Sequence, residues 1–476
     1  MDNKTHLERK YGLFTAICLV VGTVIGSGVF FKAQTVLQKT EGNMPLGIIA
    51  WLIGGVIMLS CILAFSAMAQ KYERVNGLVD YAEATVGSKY GYYIGWFACT
   101  IYNPCLVSAL AWLSARYTLV FLCSCWPDLP LLIPAAEGGC VKGPECMALT
   151  MLYLCAAYAM NALSPRLAGR FQTSTTIIKL IPLLLMAVGG VVAGVFSPTH
   201  MLVSNFATYS ATEGMGSAPL LAAVCATAFA YEGWILTTSI NAELKDAKKN
   251  LPIALIGGGI IVIVVYVAYY IGVAGGASVD VLMADGATTA FTNVFGGVLG
   301  NILNLFIAIS CMGTMNGLML ACCRGFYALA VRNEGPKPGL FSQIDKQSNM
   351  PTNSAVMALL FSALWGLYFY VSNLAGTWNS VVAFEGTVFE SVPFVFDSTE
   401  LPIITLYAMY IPMFIQWMRK EREENKLRRF VIPAFAVLGA LFMVYASIAG
   451  HKMANFWYLI VFAVFMLAGR LLYKRK

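Results

Sequence analysis

The sequence predicts an all-α membrane protein with 12 transmembrane helices: a 5+5 inverted repeat with discontinuous helices 1 and 6, plus two additional helices. Three observations predict it. Of the 476 residues, 59% are hydrophobic and 12% charged, about half the charged share of a soluble domain, and mean hydropathy is +0.71. Apolar runs long enough to cross a bilayer recur along the chain. Glycine clusters interrupt two of them near mid-depth, where irregular backbone is costly unless protein or a water-filled cavity satisfies it.

The runs occupy residues 12–36, 45–70, 90–122, 147–163, 171–196, 218–240, 252–276, 297–330, 353–373, 400–418, 430–449 and 454–472. The first is too long for a signal peptide and lacks a cleavage pattern, so it is expected to stay as a span. Loops then alternate sides. With the N-terminus inside, most Lys and Arg fall on inward segments, among them Lys245, Lys248, Lys249, Arg419, Arg428 and Arg429. The positive-inside rule thus expects a multi-pass protein of the cell (plasma) membrane with both termini cytoplasmic. It also turns the net charge of +7 into a topology signal, so no nucleic acid partner is expected beside the lipid bilayer. Three units follow: 1–200 as the first repeat (helices 1–5), 201–420 as the second (helices 6–10), and 421–476 as helices 11–12 with the C-terminus.

Other classes fall away on inventory. His6, His200 and His451 are far apart, so no metal site and no cofactor are expected. No phosphate-binding Gly-rich segment supports an ATP-driven pump. An enzyme would need a convergent nucleophile, acid and base, and membrane depth offers only Glu232 and Lys179. Cys123, Cys125, Cys140 and Cys146 frame the outward loop after span three; one internal disulfide and free thiols stand as equal alternatives.

Two places carry the chemistry. The first is Gly22-Thr23-Val24-Ile25-Gly26-Ser27-Gly28-Val29-Phe30, where glycines allow successive N–H groups to converge on a carboxylate. A close-packing face of Gly22 and Gly26 is the alternative. The second is Ala228-Phe229-Ala230-Tyr231-Glu232-Gly233-Trp234, with an ionisable group at membrane depth. Carbonyls of Val24, Phe229 and Glu232 would receive an ammonium, and N–H groups of Ser27 and Gly28 a carboxylate, which together describe the head of an α-amino acid.

Lys179 lies about 13 Å past Arg170 along a helix, well inside a hydrocarbon core roughly 30 Å thick. A buried ammonium there would bridge the broken first helix to span eight, where Ser310 or Thr314 supplies an oxygen. It would do electrostatically what a bound sodium ion does; a neutral Lys179 would instead be a proton site. Glu232 is read either as a proton carrier or cation partner, or as a carboxylate facing a wet vestibule.

On these residues the chain resembles the L-type amino acid transporter family of the amino acid-polyamine-organocation superfamily. Gly26-Ser27-Gly28-Val29-Phe30 is similar to its first-helix signature and Phe229-Ala230-Tyr231-Glu232-Gly233-Trp234 to its sixth-helix signature. Gly313-Thr314-Met315-Asn316-Gly317 with Arg324-Gly325-Phe326-Tyr327 is similar to its eighth-helix pattern, and Lys179 to its fifth-helix lysine. The likeness covers roughly residues 10–370 and is strongest to bacterial alanine-serine-cysteine exchangers.

That resemblance implies a LeuT-like fold and sodium-independent exchange of small neutral L-amino acids by alternating access. It implies Phe229 as an aromatic gate, backbone groups of Val24, Ser27, Gly28, Phe229 and Glu232 at the substrate, and Tyr231 lining the cytoplasmic vestibule. In animal members one cysteine after span three joins a glycoprotein; with four here, an accessory glycoprotein subunit is not required. Two departures stand out: Glu232 replaces the glycine of animal members, and the acidic stretch 374–400 is longer than usual, either as a lid or as an ordered loop. A proton-coupled amino acid or amine importer on the same scaffold is the alternative function, and a channel or sensor a more distant one.

Overall fold

A bilayer leaves helices as the economical way to satisfy every backbone group within one segment, and the described chain is helical almost throughout. The computed structural model describes residues 9, 11–26, 28–72, 77–198, 200–207, 217–374, 396–451 and 453–473. Among them there is no strand, only an isolated bridge between Tyr11 and Leu244. Eleven helices are long and apolar enough to cross a membrane, and twelve spans result if the bent pair at the start counts as one.

In chain order the helices are α1 (Leu13–Val24), α2 (Gly28–Lys39), α3 (Met44–Lys71), α4 (Gly77–Thr85), α5 (Ser88–Phe97), α6 (Asn103–Cys125), α7 (Gly139–Lys142), α8 (Pro144–Leu163), α9 (Pro165–Phe196) and α10 (Met201–Ala207). The rest are α11 (Ser217–Ala230), α12 (Ala247–Gly276), α13 (Val279–Asp285), α14 (Ala287–Phe295), α15 (Gly297–Ala330), α16 (Pro338–Phe341), α17 (Thr352–Phe369), α18 (Leu401–Lys420), α19 (Ile432–His451) and α20 (Met453–Leu472). α1 and α2 form the bent pair, at 42°.

Two departures from regular helix have local causes. Between α5 and α6 the chain makes a π turn, Ala98–Tyr102. Pro104 follows it and has no N–H for the carbonyl of Thr100; the indole of Trp365 donates to that oxygen instead, at 2.8 Å. After α11 the sixth span continues as a 3-10 helix, Trp234–Glu243, tighter than the α-helix expected beyond an interruption.

α9 shows how a span divides its faces. Ile177, Ile181, Leu184, Val188 and Val192 recur at helical spacing and are exposed, as a lipid-facing stripe requires. The opposite face buries Gln172, Thr176, Lys179, Leu183 and Met186. α9 crosses α12 where small residues let backbones touch: a Cβ on Gly190 would lie 2.1 Å from the Gly272 carbonyl oxygen.

Asp397 Oδ1 accepts from the Thr399 N–H at 2.6 Å and the Glu400 N–H at 3.0 Å, closing a turn that opens α18. Glu385 and Glu390 of the acidic stretch fall outside the described residues. Around the loop after α6, Cys123 and Cys125 at the end of α6, Cys140 on α7 and Cys146 on α8 are free thiols, with the sulfurs of Cys123 and Cys140 3.6 Å apart.

Candidate functional site

α1 stops at Val24 because the next residues leave helical space: Ile25 has ψ 100°. Its N–H still bonds to the Val21 oxygen at 2.8 Å, so the following carbonyls lose their helical donors. The second interruption follows Ala230, and Gly233 sits at φ +107°, a conformation that favours glycine. The two places are in contact. A Cβ on Gly28 would lie 2.6 Å from the Ala230 Cα, and one on Gly233 would lie 2.6 Å from the Thr23 carbonyl oxygen. The hydroxyl of Tyr266, on α12, stands 3.0 Å from the carbonyl oxygens of both Val24 and Ala230 and shares its proton between them. Ser27 lies outside the described residues.

Lys179 reaches the first break from the buried face of α9. Its ammonium donates to the Gly22 oxygen at 2.6 Å, to the Ile25 oxygen, and to Thr314 Oγ1 on α15 at 3.0 Å. These are carbonyls of the C-terminal end of α1, where the helix dipole is negative, so a cation there is favoured. Thr314 Oγ1 is itself 3.1 Å from the Gly22 oxygen and 2.9 Å from the Ile25 oxygen. One turn earlier on α15, Ser310 donates to the Gly26 oxygen at 3.3 Å.

At the second break, Glu232 is buried and its carboxylate accepts a hydrogen bond from the Tyr102 hydroxyl, carried by the π turn. Phe229 is half-buried, with the ammonium of Lys32 5.5 Å from its ring centroid. Lys32, on α2, is ion-paired with Glu400 at the start of α18, both largely buried.

Tyr231, expected to line the cytoplasmic vestibule, packs in this conformation against α3 and α12. The turn after Ala230 swings its ring between Trp51 and Tyr266, at centroid distances of 5.6 and 5.2 Å, and its hydroxyl donates to the Trp51 carbonyl at 2.9 Å. In this conformation it is 1% exposed and braces the break. The Val24 carbonyl is likewise engaged by Tyr266, which leaves one lone pair for another donor.

Sequence reasoning missed Tyr266, Tyr102 and the pairing of Lys32 with Glu400. Tyr266 sits in a uniformly apolar run that carries no pattern to single it out, and Tyr102, beside Asn103 and Pro104, carries no mark of its distant partner. It also missed a polar chain below the first break, in which Asn161 donates to Asn316 Oδ1 at 2.9 Å and Asn316 to Gln172 Oε1 at 3.2 Å. No cluster of potential metal ligands occurs among the described residues.

The sequence model of the family described as amino acid permease matches residues 11–469. The chain belongs to the amino acid permease family. It is an amino acid transporter, a multi-pass membrane protein rather than an enzyme. It is 26% identical over 458 residues to the serine/threonine exchanger SteT of Bacillus subtilis (strain 168), covering 94% of this chain and 93% of that one. It is 24% identical over 474 residues to the b(0,+)-type amino acid transporter 1 of Mus musculus, covering 98% and 88%, and 25% identical over 373 residues to the cystine/glutamate transporter of Homo sapiens, covering 76% and 70%. Among solved structures, the crystal structure of MhsT in complex with L-phenylalanine superposes with TM-score 0.60 at 12% identity, over 96% of this chain and 99% of that one. The fold is therefore of the LeuT type, in agreement with the all-α expectation.

Proposed function

We propose that this permease exchanges small neutral L-amino acids, of the alanine, serine and cysteine type, across the plasma membrane by alternating access and without sodium. The observation that carries the reading is the Lys179 ammonium held by the Gly22 and Ile25 carbonyls and Thr314 Oγ1. Three oxygens converge on a fixed positive charge, as they would on a monovalent ion. The position needs no sodium because the protein supplies the cation. The relative named a serine/threonine exchanger supports both the exchange and a small substrate.

In this reading the substrate's charged head lies where the breaks meet. Its ammonium is received by the free lone pairs of Val24, Phe229 and Glu232 carbonyls, and its carboxylate by the N–H groups of Ser27 and Gly28 at the positive end of α2. The close approach of the two breaks, with Gly28 against Ala230 and Gly233 against Thr23, supports a small substrate. Residues 1–200 and 201–420 act as the two inverted halves and 421–476 as an addition. The face with Lys245, Arg332 and Arg419 is cytoplasmic, as are both termini, and an accessory glycoprotein is not needed.

Proteoliposomes test this directly. Labelled alanine should enter vesicles loaded with alanine or serine, in sodium-free buffer, and should barely enter empty ones. Uptake into empty vesicles driven only by an imposed pH gradient would overturn exchange in favour of a proton-coupled importer. Competition by all twenty amino acids defines the substrate class.

A further inference from the structure

Among the described residues no cation sits against Glu232. It is 5% exposed, one carboxylate oxygen accepts from Tyr102, the Gly233 N–H lies close enough to act on the carboxyl, and Oε2 has no well-formed hydrogen bond of its own. The ionisable groups that face it are Tyr102 from the π turn, Cys61 from α3, and Tyr407 and Tyr410 from α18. All are hydroxyls or a thiol. Among the described residues the cations form their ion pairs elsewhere, Lys32 with Glu400, Lys71 with Glu421 and Arg332 with Asp80 and Glu83. Lys179 is committed to α1 and Thr314.

A carboxylate enclosed this way loses its hydration without a compensating cation, and that desolvation is left largely unrepaid. A neutral carboxylic acid avoids that cost and carries an O–H of its own. The hydroxyl of Tyr410 is likewise buried without a partner, so the surroundings have spare acceptor capacity. A metal ion would need several further oxygen ligands, and the described residues hold no such cluster.

We propose that Glu232 is a proton-binding site of the transport cycle: its carboxyl holds a proton while the two breaks are closed together and exchanges it with water when the pathway opens. On opening, the Oε2–H bond breaks, its electron pair stays on the carboxylate, and the proton leaves on water; closure reverses this. Closure therefore takes up a proton, so raising the pH opposes closure and slows exchange. The inference rests on the transport reading above and adds a second ligand to it.

Two measurements on the purified full-length protein test it. The infrared difference between wild type and Glu232→Gln at neutral pH, with no amino acid present, should show the C=O stretch of a protonated carboxyl. Tyr102→Phe, which keeps Glu232, should shift that band. Carboxylate bands in its place would overturn the proposal even if transport is normal. Alanine–alanine exchange, with equal pH on both sides of the vesicle, should fall by about tenfold per pH unit on the alkaline limb in wild type and be flat in Glu232→Gln at whatever rate remains. Equal pH slopes in the two proteins would overturn the coupling. A protein that exchanges no alanine at any pH contradicts the substrate reading instead, and the infrared band still decides the proton.

Discussion

Val24 and Ala230, the last helical residues before the two interruptions, are bridged by a single hydroxyl. Tyr266 stands 3.0 Å from each carbonyl oxygen, so a side chain of α12 holds the ends of α1 and α11 in register. A carbonyl released by a broken helix needs a partner, and here one donor serves two such groups that must keep a fixed separation for a substrate head to fit between them. Tyr266→Phe keeps the ring edge-to-face against Trp51 and removes that donor. Losing a buried hydrogen bond of about 1–3 kcal/mol should raise the KM for alanine several-fold with little change in the yield of folded protein, as read by exchange kinetics and gel filtration. Unchanged kinetics would mean that packing alone aligns the breaks.

Lys179 makes a sharper case. Lys179→Ala removes charge-assisted bonds worth about 1.5–3 kcal/mol each, and leaves the Gly22 and Ile25 carbonyls at the end of α1 without a cation. Alanine exchange should fall at least about tenfold while the protein still elutes as a single folded species. Full activity in Lys179→Ala, in sodium-free buffer, would remove the argument that this ammonium stands in for an ion. Thr314→Val should give a smaller loss, because only one of the three oxygens goes.

The buried pair of Lys32 and Glu400 ties α2 to α18 directly beside Phe229. Removing one partner strands the other charge, so each single variant, Lys32→Met or Glu400→Gln, should depress exchange more than the double variant does. A double-mutant cycle measured on the exchange rate should therefore show coupling well above the about 0.3–0.5 kcal/mol scatter of independent sites. Strict additivity would mean that the two charges act on exchange independently of each other.

Away from the spans, Glu421 links the end of α18 to Lys71 and Tyr72 at the end of α3. Burial on its own raises the Glu421 carboxyl, but hydrogen bonds from Lys71 and Tyr72, with the charges of Lys71 and Lys420, outweigh it and hold the group below its ordinary 4.5. A depressed folded value means the stabilisation is complete above about pH 4.5 and is lost as pH falls through the folded value. The melting temperature in detergent should therefore drop on acidification below that point, and Glu421→Gln should lower it at neutral pH and flatten its acid dependence.

Much of this architecture is legible in the chain itself. Span number, the two interruptions and the buried charge of Lys179 follow from hydropathy, glycine placement and depth along the span, because a bilayer penalises every unsatisfied backbone group and every unpaired charge in the same way wherever it occurs. Lys179 could be singled out for that reason before any partner was known. Tertiary structure alone decided the partners: that Tyr266 serves both breaks, that a π turn ahead of Pro104 delivers Tyr102 to Glu232, that Tyr231 turns toward Trp51, and that Lys32 meets Glu400. The physical reason is that a membrane helix such as α12 is apolar on its lipid face and its protein face alike, so periodicity does not tell which of its tyrosines points inward. Only the packing of distant segments against one another supplies that information.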